Sequence, residues 1–200
     1  MRFHRVPKFL KWNYRGSIWQ GKKSDIYLTF DDGPHPVITP WVISILDKYS
    51  IKATFFCVGK NVETYPEVFE QIKTSGHVIG NHTMHHERGW HCTLDKYIDS
   101  VKQASIFIPS KLFRPPFGSI TFRQFRALKK LGYKVVFWSW ISYDFDKDFT
   151  GEEILKEAIR IKGGDILVFH DSDKAKMNLQ NSLEEIIVLL KQKGLKFSTM

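Results

Sequence analysis

The feature that most restricts the fold of this chain is the regular return of a short β-branched or aromatic run followed by a helical pattern. Runs with strand character cover residues 26–30, 52–57, 77–80, 111–114, 133–138, 165–169 and 195–198. Helix start and stop signals punctuate the stretches between them. Thr39 and Pro40 open a helix reaching about Tyr49, Pro66 opens one ending at Gly76, and Thr93 caps one running to about Phe107. Another starts at Thr121 and stops before Gly132, and Thr150-Gly151-Glu152-Glu153 is a capping box for the next. The last begins near Ser182 and stops at Gly194. Strands alternating with helices predict a parallel sheet with helices on its outside. The expected fold is α/β: a distorted, incomplete (β/α) barrel of about seven parallel strands with outer helices. An open, doubly wound sheet satisfies the same periodicity. In both, chemistry collects at the carboxyl ends of the strands.

The chemically competent side chains fall at those ends. Asp31 and Asp32 follow the first strand, His82 and His86 the third, and Asp144 the fifth, while Arg114 ends the fourth and His170 the sixth. His82 and His86 are four apart, which on a helical turn puts both imidazoles on one face. Two imidazoles, one carboxylate and an open position make a hydrolytic zinc arrangement. The same set holds non-haem iron in oxygenases, but the order Asp, His, His on a βα framework argues for hydrolysis. The pair Asp31-Asp32, beside Gly33-Pro34, supplies a ligand and a separate base. His35, His77 and His91 are expected in loops or packing, and His85 points away from its neighbour His86. Trp90, Trp140, Tyr143 and Phe145 lie in or near the rim loops, where aromatic faces can stack on a pyranose; core packing is the competing role for each.

Several of these segments resemble, in order, the motifs of the polysaccharide deacetylase family (carbohydrate esterase family 4), including chitooligosaccharide and peptidoglycan deacetylases. Thr29-Phe30-Asp31-Asp32-Gly33-Pro34 resembles the first motif and Asn81-His82-Thr83-Met84-His85-His86 the second. Phe113-Arg114-Pro115-Pro116-Phe117-Gly118 resembles the third, and Ile166-Leu167-Val168-Phe169-His170-Asp171 the fifth. The resemblance implies a metal-dependent hydrolase that removes acetyl groups from N-acetylglucosamine-type oligo- or polysaccharides. It implies that Asp32, His82 and His86 bind one divalent ion, zinc first, with cobalt or nickel as alternatives. By the same resemblance Asp31 is the general base, oriented by Arg114, and His170 the general acid. Thr83 supports the histidine turn, and the backbone N–H of Phe117 joins the metal in stabilising the oxyanion.

The fourth motif departs from the family's D-x-x-D-W, because Ile141-Ser142-Tyr143-Asp144-Phe145 lacks the first acid and the tryptophan. Asp144 keeps the acid expected to pair with His170. Phe117 stands where a tyrosine is usual. An O-deacetylase of a glycan such as xylan, or a catalytically impaired carbohydrate-binding homologue, are the alternative readings.

Elementary chemistry leads to the same division of labour. An amide is a poor electrophile, so a metal that polarises its carbonyl and acidifies bound water helps attack. A carboxylate that is not a ligand, Asp31, takes the water's proton. An amine cannot leave as an anion, and His170, charged and oriented by Asp144, protonates it.

Charge argues against other classes. Thirty Lys and Arg against 21 Asp and Glu give +9, but the basic residues are dispersed and form no stripe with stacking aromatics, so a nucleic-acid partner is not expected. The expected partner is an acetylated carbohydrate, and the oligomeric state is left open. No apolar run is long enough for a transmembrane helix. Residues 1–24, basic and carrying Phe9, Trp12, Tyr14 and Trp19, are expected to pack on a catalytic domain spanning 25–200. They contain no apolar core of a secretory signal, which predicts a cytoplasmic protein as written, or an extracellular one if a longer native N-terminus precedes them. Cys57 sits in an apolar run and Cys92 in a polar loop, so no disulfide is expected.

Overall fold

A computed structural model of the chain describes residues 4, 5 and 14–200; Phe9 and Trp12 lie outside them. Its strands are β1 (Asp25–Asp31), β2 (Thr54–Cys57), β3 (Val78–Asn81), β4 (Leu112–Phe113), β5 (Lys134–Val135), β6 (Trp140–Ile141), β7 (Ile166–His170) and β8 (Lys196–Ser198). The helices are α1 (Ile38–Lys48), α2 (Gly59–Thr64), α3 (Pro66–Thr74), α4 (Leu94–Phe107), α5 (Phe122–Lys130), α6 (Gly151–Ala158), α7 (Lys176–Gln180) and α8 (Leu183–Gln192). Seven strands follow one another in the order β5-β4-β3-β2-β1-β7-β6, and β8 adds to the start of β1. The pairings between these strands are parallel. The sheet curls into the distorted, incomplete barrel that the alternating pattern predicts.

Strand alternation sorts the side chains. On β1, Ile26, Leu28 and Phe30 face the helices, where they join a large core with α1, α3, α6 and α8. Tyr27, of the opposite parity, packs inside the curl with Phe56 of β2, Val136 and Ile166 of β7. Asp31 continues that inward parity on β1, as His170 does on β7. The register pairs Asp31 directly with His170. A third core joins α4 and α5 to β4 and β5, and Tyr14 and Trp19 pack against it, Trp19 stacked on Phe137 with ring centroids 4.1 Å apart.

Thr93, Thr121 and Thr150 cap α4, α5 and α6, the last two as capping boxes with Gln124 and Glu153. Thr39 does not cap α1, which begins one residue earlier at Ile38. The His35 ring instead takes the first free N–H groups, Nδ1 accepting from Val37 and Ile38. Thr39 accepts from the His35 N–H and donates to Asp171. The run 133–138 is not one strand. Successive N–H groups there change partner, Val136 donating to Phe113, Phe137 to Ile18 and Ser139 to Ile166. The chain is crossing from the β4 side of the curl to β7, and it pairs again only as β6. Among the described residues no helix is long and apolar enough to cross a membrane, and both cysteines are free.

Candidate active site

The carboxyl end of β1 carries Asp31 as its last residue and Asp32 just beyond. Asp31 is buried and accepts a hydrogen bond from Arg114 Nη1 at 2.7 Å. Arg114 reaches it from the end of β4 and is itself wholly buried. Its donors are consumed on the way: Nη1 also donates to Thr29 Oγ1 at 2.6 Å, Nη2 to the Phe137 carbonyl at 3.2 Å and Nε to the Val136 carbonyl at 3.4 Å. The guanidinium lies 4.1 Å from the Phe56 ring centroid. Such a side chain is a fixed strut, because each of its three nitrogens is already engaged inside the fold.

Asp32 turns away from this pair. Its backbone is left-handed, φ 82°, and its carboxylate faces three imidazoles. His86 Nε2 lies 3.1 Å and His82 Nε2 3.8 Å from Asp32 Oδ1. Burial opposes ionisation of Asp32, but the contact with His86 and the fields of His170, His86 and His82 outweigh it and hold the carboxyl well below the usual range. Asp32 Oδ1 is buried and receives no well-aligned hydrogen bond. A buried carboxylate oxygen without a donor is costly, and a cation between the three side chains would satisfy it.

Ligand atoms of Asp32, His82 and His86 all lie within 4.8 Å of one another, a grouping fit to hold a divalent metal ion. The imidazoles are set up for it. His82 Nδ1 lies 2.7 Å from the Arg114 carbonyl, which as a donor contact leaves the Nε2 lone pair to the metal. Burial lowers the His82 pKa to about 4 despite the nearby Asp31 and Asp32, so the ring is neutral and able to ligate near pH 7.

The two histidines are not on a helical turn. Residues 82–88 form a loop in which Thr83 (φ 67°) and His86 (φ 59°) are left-handed. The loop is held by its polar neighbours: Asn81 Oδ1 accepts from Thr83 N, Ser100 Oγ from Met84 N, and Thr83 Oγ1 from Glu87 N. Side-chain hydrogen bonds thus do the work that a helix was expected to do.

His170 faces the cluster from β7. Its Nδ1 is 2.7 Å from Asp144 Oδ1, and its backbone N–H donates to the other oxygen at 2.8 Å. Burial disfavours the charged ring, but the Asp144 carboxylate and its hydrogen bond, with Asp32 and Asp31 behind them, raise the pKa to about 9. With Nδ1 committed to Asp144, Nε2 is the nitrogen left to meet a substrate. Asp144 is fully buried, and Asn178 of α7 holds its carbonyl.

Phe117 lies in a 3-10 turn over Pro116–Gly118, left-handed at φ 59°. The turn's own hydrogen bonds run from Gly118 and Ser119, so the Phe117 N–H precedes them. The residue is 57% exposed, and its ring packs on His86, centroids 4.5 Å apart. Phe145 sets its edge against His170 at 4.8 Å. Tyr143 is half-buried against His4, Phe149 and Phe145. Trp90 is 68% exposed. Trp140 is not at the rim where the sequence places it: it is 0% exposed and packs on His4 and Phe169. As a residue of β6, its side chain is claimed by the core and reaches no sugar.

Sequence reasoning passed over three supports. Asp171 is buried next to His170, accepts from Gly33 N at 3.0 Å and from Thr39, and donates its own N–H to the Asp31 carbonyl. A Cβ on Gly33 would lie 2.1 Å from the Asp171 carboxylate. Asn61 of α2 donates to the Asp32 carbonyl at 2.7 Å. Thr29 relays Arg114 to the Leu167 carbonyl of β7. The acid after His170 is visible in the sequence, but its partners Gly33 and Thr39 are not, and Asn61 and Thr29 carry no signal at all.

Comparison with known proteins agrees with this geometry. The family model described as Polysaccharide deacetylase matches residues 20–136. The chain is 35% identical to a peptidoglycan-N-acetylglucosamine deacetylase of Bacillus cereus, over 88% of this chain and 85% of the relative. It is 34% identical to a chitooligosaccharide deacetylase of Azorhizobium caulinodans, over 74% of each. A crystal structure of a peptidoglycan N-acetylglucosamine deacetylase in complex with a naphthalenyl N-oxidanyl-benzamide superposes with a TM-score of 0.90 at 28% identity, covering 98% of this chain and 95% of that one.

Proposed function

The chain belongs to the polysaccharide deacetylase family, and from that premise we propose that it hydrolyses the N-acetyl group of an N-acetylglucosamine-type oligo- or polysaccharide, with Asp31 as general base and His170 as general acid. The observation that carries the proposal is the separation of three settings at one rim. A ligand cluster surrounds an unsatisfied carboxylate oxygen, one carboxylate is strapped to a buried arginine, and one imidazole is strapped to a buried aspartate.

Asp32, His82 and His86 are the residues to hold a divalent ion, zinc first, and when bound that ion supplies Lewis acidity at the acetyl carbonyl and acidifies water. Asp31 accepts the proton of the attacking water, and Arg114 fixes its orientation throughout. The Phe117 N–H offers a donor to the carbonyl oxygen as it gains charge. His170 carries its proton on Nε2 and delivers it to the amide nitrogen as the C–N bond breaks. The balance is one amide and one water in, one amine and one acetate out. The acetylglucosamine substrate class is supported by the two curated relatives, whose names specify such glycans.

The test follows from the acid. An acetamide needs its nitrogen protonated on departure, whereas an activated acetyl ester needs that proton less. The wild-type protein is expected to release acetate and free amine one to one from N-acetylglucosamine oligomers. His170→Ala is expected to lose ~10²-fold or more in that reaction, the usual scale of general acid–base catalysis, and clearly less on the ester. Equal losses, or release from O-acetylated xylan alone, would replace this reading by an O-deacetylase.

A further inference from the structure

Beside the cluster stands an arginine that the reaction does not use. Arg88 is exposed, and its guanidinium carbon lies 4.3 Å from the centroid of the Phe117 ring, whose own neighbour is the candidate ligand His86. Stacking engages the face of a guanidinium and leaves the N–H donors around its edge free. Among the described residues Arg88 has no carboxylate at ion-pairing distance, and no hydrogen bond consumes its side chain. The adjacent Glu87 does not neutralise it directly, because its carboxylate is hydrogen-bonded to Ser100, Thr83 and the His85 N–H. Arg114 has the opposite fate, each of its three nitrogens donating to a partner inside the fold.

The segment that presents Arg88 is clamped. Gly89 N donates to the Ser119 carbonyl at 3.1 Å, Gln124 Nε2 donates to the Gly89 carbonyl at 2.9 Å, and Trp90 N donates to Ser119 Oγ at 3.2 Å. A Cβ on Gly89 would lie 2.4 Å from the Ser119 carbonyl, so the segment lies flush on the Phe117 loop. Two exposed aromatics, Phe117 and Trp90, therefore flank a preorganised cation with open donors.

We infer that Arg88 is a specificity-determining residue that binds a carboxylate carried by the acetylated glycan, on the reacting sugar or on its neighbour. This rests on the reading of the site as a glycan deacetylase and narrows its substrate to acidic N-acetylated glycans. A planar carboxylate meets the guanidinium edge by two parallel hydrogen bonds, and the aromatic faces receive the sugar ring.

The experiment measures kcat/KM for acetate release from matched N-acetylglucosamine oligomers. One carries a 3-O-lactyl carboxylate on the reacting sugar, one carries it on the neighbouring sugar, and the corresponding amides serve as neutral partners. For an exposed pair the wild-type preference for acid over amide should be about fivefold, expressed in KM and falling as salt rises. Arg88→Gln should bring the acid-to-amide ratio to about one, and Arg88→Lys should restore part of it, since it keeps the charge but not the fork. Whichever carboxylate position shows the preference locates the group. A wild-type ratio near one at both positions, or an Arg88→Gln ratio equal to wild type, would overturn the inference. If no oligomer releases acetate, it is the deacetylase reading that has failed. Calorimetric affinities of the same acids and amides for wild type and Arg88→Gln then decide the inference, equal values overturning it.

Discussion

Asp31 and Asp32 are chemical twins joined by one peptide bond, and their surroundings make them different tools. Asp31 looks inward to a guanidinium; Asp32, one left-handed residue on, looks into imidazoles. A similar logic governs His170, whose proton is retained by Asp144. Its pKa of about 9 has a sign that can be tested. The acid form is present below that value and is lost as pH rises through it, so activity that needs the proton falls on the basic side. A bound divalent cation opposes the imidazolium, so in the metal-loaded protein the basic limb of kcat/KM should lie below about 9. Asp144→Asn removes the main force raising the pKa and should shift the limb further down, toward the ordinary value of about 6.5. An unmoved limb would show that another group sets it. The side chains that gather at the rim were legible in the sequence because their types and their positions after strands already suggest a chemistry. The role of Asp171 was not, since nothing in a lone Asp says that it will fasten Gly33 and Thr39.

Strands and capped helices were legible for a related reason: period-two apolar runs and Thr caps are local signals. The loops were not. Of the six non-glycine residues with left-handed φ among those described, Asp32, Thr83, His86, Phe117 and Tyr143 stand at the rim. That conformation is uncommon outside glycine and is held by surrounding contacts, so a helical spacing such as His82 to His86 misleads. The expected strand 133–138 stops after β5, and pairing resumes only beyond it at β6, because the chain changes tertiary partners there while its composition stays strand-like. Elements are joined across the curl chiefly by Arg114, which ties β4 to β1 and to the carbonyls of Val136 and Phe137. Arg114→Met removes the charge and leaves Asp31 buried without its partner. Loss of one member of a buried pair costs about 3–5 kcal/mol, so denaturant unfolding should show a destabilisation of that order. A change under about 1 kcal/mol, the level of an exposed pair, would mean that the strut is not structural.

At the scale of the whole molecule, one rim gathers side chains from β1, β3, β4, β6 and β7 that are up to 139 positions apart in the chain, from Asp31 to His170. The parallel register that sets Asp31 opposite His170 puts the proposed base and acid on adjacent strands, and the curl brings the histidine loop to face them. In the proposed reaction that convergence acts through a metal held by Asp32, His82 and His86. The most direct test is acetate release from an N-acetylglucosamine oligomer by chelator-stripped protein as zinc is added back, with bound metal measured alongside, for wild type, Asp31→Asn and Asp32→Asn. Stripped wild type is expected to show no turnover and to recover fully at about one ion per chain, Asp31→Asn to bind the ion without recovering, and Asp32→Asn to fail to retain it. Turnover undiminished in metal-free wild type, or equal loss of metal in both variants, would contradict the proposed reaction.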